Sequence, residues 1–316
     1  MIKSIEQEIE ELKKEKNAVI LAHYYEEGDI QDIADFTGDS LFLAQKGAES
    51  DADVVLLAGV VFMGESVKIL SPDKTVLVPD LKAGCSLVDS SPIKEYAAWK
   101  ENNPDSVLIS YINCSAEVKA VSDVICTSSN AEKIVNAIPE NKKILFGPDR
   151  NLGSFLAKKL NREMEMWNGS CEVHMQFHAK ELFQLIQKNP DAVVLAHPEC
   201  EPEVLQYADL VGSTSAILNE AKTNPAKKFI IATEDGIFHQ IKKERPDAEL
   251  IQAPNKEGTC GCSQCPYMKL NSLEKIRDAL RDLSPKIEMD KDLMKSAHQS
   301  LDRMMKISRG ESVSFS

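Results

Sequence analysis

"AVILAHYYEEGDIQDIADFTGDSLFLAQKG", residues 18–47, opens on an apolar run, turns through polar residues into a short helical segment, and reaches a serine before a second helical segment. The same order recurs in "SVLISYINCSAEVKAVSDVICTSSNAEKIVN", residues 106–136, and in "VVLAHPECEPEVLQYADLVGSTSAILNEAK", residues 193–222. The register holds position by position. His23, Tyr111 and His197 lie 88 and 86 residues apart; the same two spacings separate Tyr25, Asn113 and Glu199, and again Ser40, Ser128 and Thr214. Three coincidences at one pair of offsets mark a triplicated unit.

Each copy continues alike, with a buried strand ("DVVLLAG", "KKILFG", "KKFIIAT"), a helix, and another strand ("KTVLVPD", "EMEMWNG", "AELIQAP"). Short apolar runs alternating with helical segments imply βαβ units and a parallel sheet. Strands apolar along nearly their whole length need helices on both faces. The fold class is therefore α/β, with three pseudo-symmetric three-layer αβα domains, each on a small parallel sheet, arranged around a central axis. The expected divisions are 1–85 for the first unit with an N-terminal helix, 86–171 for the second, 172–265 for the third, and 266–316 for C-terminal helices packing back on them. Ile5, Ile9 and Leu12 form one amphipathic stripe, and Leu273, Ile276, Leu280 and Leu283 a second, with a capping box expected at Asn271 and Glu274. Leu293, Ala297, Leu301 and Met304 form a third. His239 and His298 read as ordinary histidines.

Composition narrows the function. A formal net charge of −13 over 316 residues leaves no basic stripe to neutralise phosphates, which argues against nucleic acid as a partner. No apolar run approaches the ~20 residues of a membrane span, and the first residues are charged and helical rather than leader-like, so a cytoplasmic location away from membranes is expected. Eight cysteines in that setting are expected as thiols, most of them small buried hydrophobes.

The remainder fall on the repeat. The loop after the last strand of each unit carries "AGCSLV", "GSCEVH" and "GTCGCSQCPYM". Cys85 and Cys171 are 86 residues apart, and a further step of the same size reaches the third cluster, Cys260, Cys262 and Cys265. Each unit thus offers a thiolate toward a common axis. Three thiolates suit zinc or an iron–sulfur cluster. A cubane held by three cysteines keeps one iron open as a Lewis acid. Ligands in open α/β sheets bind beyond the carboxyl ends of the strands, where His23, Tyr111 and His197 sit. Ser40, Ser128 and Thr214 read as helix N-caps. Three helix N-termini with His23 and His197 would then hold carboxylates or phosphate despite the acidic exterior.

These residues resemble the quinolinate synthase family of NAD biosynthesis. The likeness covers nearly the whole chain and rests on "LAHYYEEGDIQDIADFTGDS", "GVVFMGESVKIL", "AGCSL", "YINCSAEVKAVSD", "CTSSNA", "FGPDRNLG", "WNGSCEVH", "HPEC", "GSTSA" and "CPYMKLN". The resemblance implies one [4Fe–4S] cluster per chain, with Cys85 and Cys171 as ligands. For the third ligand the repeat spacing favours Cys260, whereas the family motif matches Cys265; the local motif is preferred, because loop insertions shift a count. The spacing C-x-C-x-x-C departs from the family's usual C-x-x-C-x-x-C, which leaves Cys260 and Cys262 as spectators or a redox-sensitive pair. The implied reaction condenses iminoaspartate with dihydroxyacetone phosphate to quinolinate, phosphate and two waters. In that reading His23, Ser40, Tyr111, Asn113, Ser128, His197, Glu199, Ser213 and Thr214 bind substrate. Tyr25 and Glu199 move protons, with His23 and His197 beside them as catalytic residues. An L-aspartate oxidase is the implied supplier of iminoaspartate. The competing readings are an iron–sulfur hydro-lyase acting on a small hydroxyacid and a zinc- or cluster-binding structural or sensor protein.

Overall fold

The computed structural model describes residues 3–256 and 263–315. Twelve strands among them form three separate four-stranded sheets, all parallel. The first comprises β1 (Ala18–His23), β2 (Phe36–Gly38), β3 (Val54–Ala58) and β4 (Thr75–Leu77) in the order β2-β1-β3-β4. The second comprises β5 (Ser106–Tyr111), β6 (Val124–Cys126), β7 (Lys143–Gly147) and β8 (Met164–Met166) in the order β6-β5-β7-β8. The third comprises β9 (Val193–Ala196), β10 (Leu210–Val211), β11 (Lys228–Ala232) and β12 (Glu249–Gln252) in the order β10-β9-β11-β12. One topology occurs three times, as the repeat requires.

The strands are apolar on both faces because both faces are covered. In the first sheet Val19, Leu21, Val55 and Leu57 face one core, while Ile20, Ala22, Val54 and Leu56 face another. The third sheet alternates likewise, with Val194 and Ile230 on one side and Leu195 and Ile231 on the other. The N-terminal helix Ile5–Glu15 and the helix Leu273–Asp282 cover the outer face of the first sheet through Ile9, Ile276 and Leu280. The last helix, Lys291–Ser308, buries Ala297, Leu301 and Met304 in a core shared by the first two units.

A further device is repeated with the sheets. Asp35, Asp123 and Asp209, spaced as the other repeat positions are, each accept a backbone N–H from the first strand of their unit (Ile20, Leu108 and Val194), every bond 2.8 Å long. The backbone N–H of each aspartate returns a bond to the carbonyl of the same strand residue. The carboxylates thereby fix where the chain re-enters the sheet as β2, β6 and β10.

Two local expectations are corrected. The capping box at Asn271 and Glu274 does not form: Ser272 is the cap, its hydroxyl accepting from Lys275 N. Asn271 is instead buried, donating its side-chain amide to Glu26 Oε1 at 2.7 Å and Gly59 O at 2.9 Å. Ser40, Ser128 and Thr214 are not the N-caps either. Asp39 and Ser213 cap the helices Ser40–Glu49 and Thr214–Thr223 one residue earlier, and Asn130 occupies the cap position before Ala131–Ala137. Aspartate and serine cap well in the extended backbone found there, which frees the hydroxyls of Ser40 and Thr214 from capping.

Candidate active site

The three units meet at one cavity. The first strand of each unit delivers a residue at its carboxyl end: His23 from β1, Tyr111 from β5 and, one position past β9, His197. Tyr25, Asn113 and Glu199, two residues further on, line the same cavity, as do Ser40, Ser128 and Thr214 at or near the helix starts. Ser213 is absent from that lining; its hydroxyl accepts from Ala216 N as a cap. Cys85, Cys171 and Cys265 complete the wall, one thiol from each unit. Cys260 and Cys262 lie outside the described residues.

Glu199 is the electrostatic centre. Tyr111 donates its hydroxyl to Glu199 Oε1 at 2.6 Å, and His174 Nδ1 lies 3.1 Å from Oε2. His197 Nδ1 is 3.7 Å from Oε1, and its ring stacks on that of His174 with centroids 4.7 Å apart. Burial opposes charge on Glu199, but the neighbouring His174 and His197 and the bonds from His174 and Tyr111 outweigh it and hold the carboxyl below its ordinary range. A second chain of contacts leads to Tyr25, whose hydroxyl lies 2.9 Å from Thr214 Oγ1 and 2.7 Å from Thr233 Oγ1; Thr233 Oγ1 is in turn 2.9 Å from His174 Nε2. Tyr25 and Glu199 are therefore joined through Thr233 and His174. Burial keeps both Tyr25 and Tyr111 protonated, well above the usual phenol range.

Burial pushes His23 down to about 4 and His197 to about 3, with Asp39 and Glu199 opposing the shift in both cases. Near neutral pH these imidazoles supply hydrogen-bonding nitrogens, not positive charge. Among the described lining residues none is lysine or arginine. An anion here is met by N–H and O–H groups. Asn113 lines the cavity, and its buried Oδ1 has no hydrogen-bond partner.

The three thiols fit a metal–sulfur group. All three are free cysteines. Burial pushes each up, Cys265 to about 11 and the other two further, so a buried thiolate there needs a compensating cation. Nearby backbone N–H groups oppose the rise in part, those of Leu87 and Val88 at Cys85, that of His174 at Cys171, and those of Met268 and Tyr267 at Cys265. Cys171 also adjoins the carboxylate centre, since its sulfur, a ring nitrogen of His174 and a carboxylate oxygen of Glu199 all lie within 4.8 Å of one another.

Residues 7–306 match the family model described as quinolinate synthetase A protein. The chain belongs to the quinolinate synthetase A family. It is similar to the quinolinate synthase of Nostoc sp., with 53% identity over 300 residues, 95% of this chain and 92% of the relative. It is also similar to that of Chloroherpeton thalassium, at 51% over 303 residues (96% and 94%), and to that of Synechocystis sp., at 52% over 300 (95% and 94%). Quinolinate synthetase A proteins are iron–sulfur dependent enzymes of NAD biosynthesis. No helix among the described residues is long and apolar enough to cross a membrane.

Sequence reasoning missed His174, Thr233 and Asp39. His174 stands three residues after Cys171, where the other units have Val88 and Met268. The repeat therefore pointed to an apolar residue there. Thr233 follows β11 and has Gly59 and Pro148 as counterparts, so no shared residue type marked it.

Proposed function

We propose that this quinolinate synthetase A chain condenses iminoaspartate with dihydroxyacetone phosphate to give quinolinate, phosphate and two waters, with Cys85, Cys171 and Cys265 holding one [4Fe–4S] cluster. The observation that carries this reading is the convergence of one thiol and one strand-end polar group from each of three units on a single cavity. When bound, a cluster held by three thiolates supplies a Lewis acid toward a leaving oxygen. The chain's own residues supply the rest. His23, Ser40, Tyr111, Asn113, Ser128, His197 and Thr214 offer neutral donors and acceptors to carboxylate and phosphate oxygens, with Ser213 supporting Thr214 as the cap before it. Glu199, ionised and oriented by Tyr111 and His174, accepts a proton from the condensing carbon skeleton. Tyr25, kept protonated by burial, donates one, and the Thr233–His174 contacts offer a route between the two. A cavity walled by Val60, Phe62, Met63 and Met268 beside these groups limits water around a hydrolysable imine.

The anaerobically purified protein, supplied with both substrates, is expected to form quinolinate and release one phosphate for each. Phosphate release separates this reaction from a hydro-lyase, which needs no triose phosphate. Glu199→Gln is expected to bind iron as the wild type does while turning over at least ~100-fold more slowly. Wild-type turnover in Glu199→Gln would remove Glu199 from the proton transfer.

A further inference from the structure

Two buried carboxylates stand at the same place in two different units and make the same contact. Asp149 lies two residues past β7, and Glu234 two residues past β11. Both side chains are fully buried. Asp149 Oδ2 accepts the backbone N–H of Cys171 at 3.2 Å, and Glu234 Oε1 accepts the backbone N–H of Cys265 at 3.3 Å. In each case the other oxygen is also used. Asp149 Oδ1 accepts from Leu152 N at 2.7 Å, and Glu234 Oε2 from Gly236 N at 2.7 Å. One carboxylate thus ties a thiol-bearing loop to the turn after the third strand of its unit.

The first unit lacks the device. Its equivalent position, two residues past β3, is Val60, and its loop is held by the main-chain bond from Val61 N to Ala83 O at 2.8 Å. The second unit has that bond as well, from Arg150 N to Gly169 O at 2.9 Å, and adds the carboxylate to it. Gly169 permits the approach, since a Cβ there would fall 2.5 Å from both Pro148 O and Ser90 Oγ. The third unit adds a cation: Lys269 Nζ lies 3.2 Å from Glu234 Oε1 and donates to Tyr25 O at 3.0 Å.

We propose that Asp149 and Glu234 are positioning residues for the metal-binding thiols, setting the backbones of Cys171 and Cys265 through their amide N–H groups, while Cys85 is held by main chain alone. The proposal rests on the reading of these cysteines as metal ligands. A carboxylate is required because both oxygens accept from N–H groups. The amide of Asn or Gln offers only one acceptor oxygen and turns an NH₂ group toward the other donor. Groups that orient metal ligands in this way commonly alter metal affinity by about 10–100-fold when changed.

The test uses the iron-loaded full chain, purified anaerobically, and follows iron release to a ferrous-iron chelator. Asp149→Asn and Glu234→Gln are expected to release iron at least about tenfold faster than the wild type. Asp123→Ala serves as control, because it removes a carboxylate–backbone clamp in the second unit at β5, away from the thiols. Thermal unfolding of the iron-free chains is recorded beside release. Faster release in Asp149→Asn and Glu234→Gln than in an equally destabilised Asp123→Ala upholds the proposal. Release at the wild-type rate, or release that merely tracks the unfolding midpoint across all three variants, overturns it. Cys171→Ala and Cys265→Ala test the underlying reading separately: full iron content in either would show that the thiols are not the ligands, whatever the anchors do.

Discussion

Glu26 shows how much a single buried carboxyl contributes to the pH response. It is fully buried beside the site; one oxygen accepts from Asn271 and the other has no partner. Burial raises it from 4.5 to about 8, with Asn271 and Lys269 opposing and Glu234 and Glu27 assisting. A folded-state value above the unfolded one gives stability that is intact below about pH 4.5 and lost progressively as pH rises toward 8. At about 1.4 kcal/mol per pH unit, the loss has an upper bound of roughly 5 kcal/mol. Gln at position 26 keeps the Asn271 bond without the charge. Glu26→Gln is therefore expected to be more stable than the wild type at pH 8 and nearly equal to it at pH 5, measured by denaturant unfolding at both. Parallel stability–pH curves would contradict the assignment. Legibility at this scale followed the repeat. His23, Tyr111 and His197 were readable because strand ends repeat. His174 was not, because its counterparts are Val88 and Met268, and it gains its meaning from Glu199 and Thr233, distant in sequence.

At the scale of elements, the helix starts carry more than capping. Asp39 Oδ1 accepts from Phe42 N at 3.0 Å within its own unit, while Oδ2 accepts from Ser129 Oγ in the second unit and Ser215 Oγ in the third, both at 2.6 Å. One carboxylate thus ties three helix starts together at the cavity. Asp39→Ala removes a cap and the acceptor of two hydroxyls. It is expected to cost about 2 kcal/mol or more in stability, and to raise KM because the three units no longer hold one geometry. Unfolding and steady-state kinetics of this variant check both effects; unchanged stability and KM would deny Asp39 that role. The sequence placed these helices correctly but set the cap one residue late in the first and third units and two residues early in the second. A hydroxyl residue before an apolar run satisfies the capping pattern equally well at either of two adjacent positions, and backbone conformation decides between them.

For the whole molecule, the three sheets were legible because one pattern appears three times, each copy supporting the others. For a protein of net charge −13 that takes anionic substrates, the sequence pointed to three helix N-termini with His23 and His197. The cavity answers with neutral imidazoles and hydroxyls, without a lysine or arginine among its described lining residues. Burial that neutralises His23 and His197 also raises the three thiols, so thiolates there need a cationic partner. We propose that one thiol from each unit (Cys85, Cys171 and Cys265) holds that partner. Iron and acid-labile sulfide, counted per chain after anaerobic purification of the wild type and of each cysteine-to-alanine variant, test it most directly. About four of each are expected in the wild type, Cys260→Ala and Cys262→Ala, and loss of both in Cys85→Ala, Cys171→Ala and Cys265→Ala. Zinc in place of iron, or a full complement in Cys265→Ala with loss in Cys260→Ala, would contradict it.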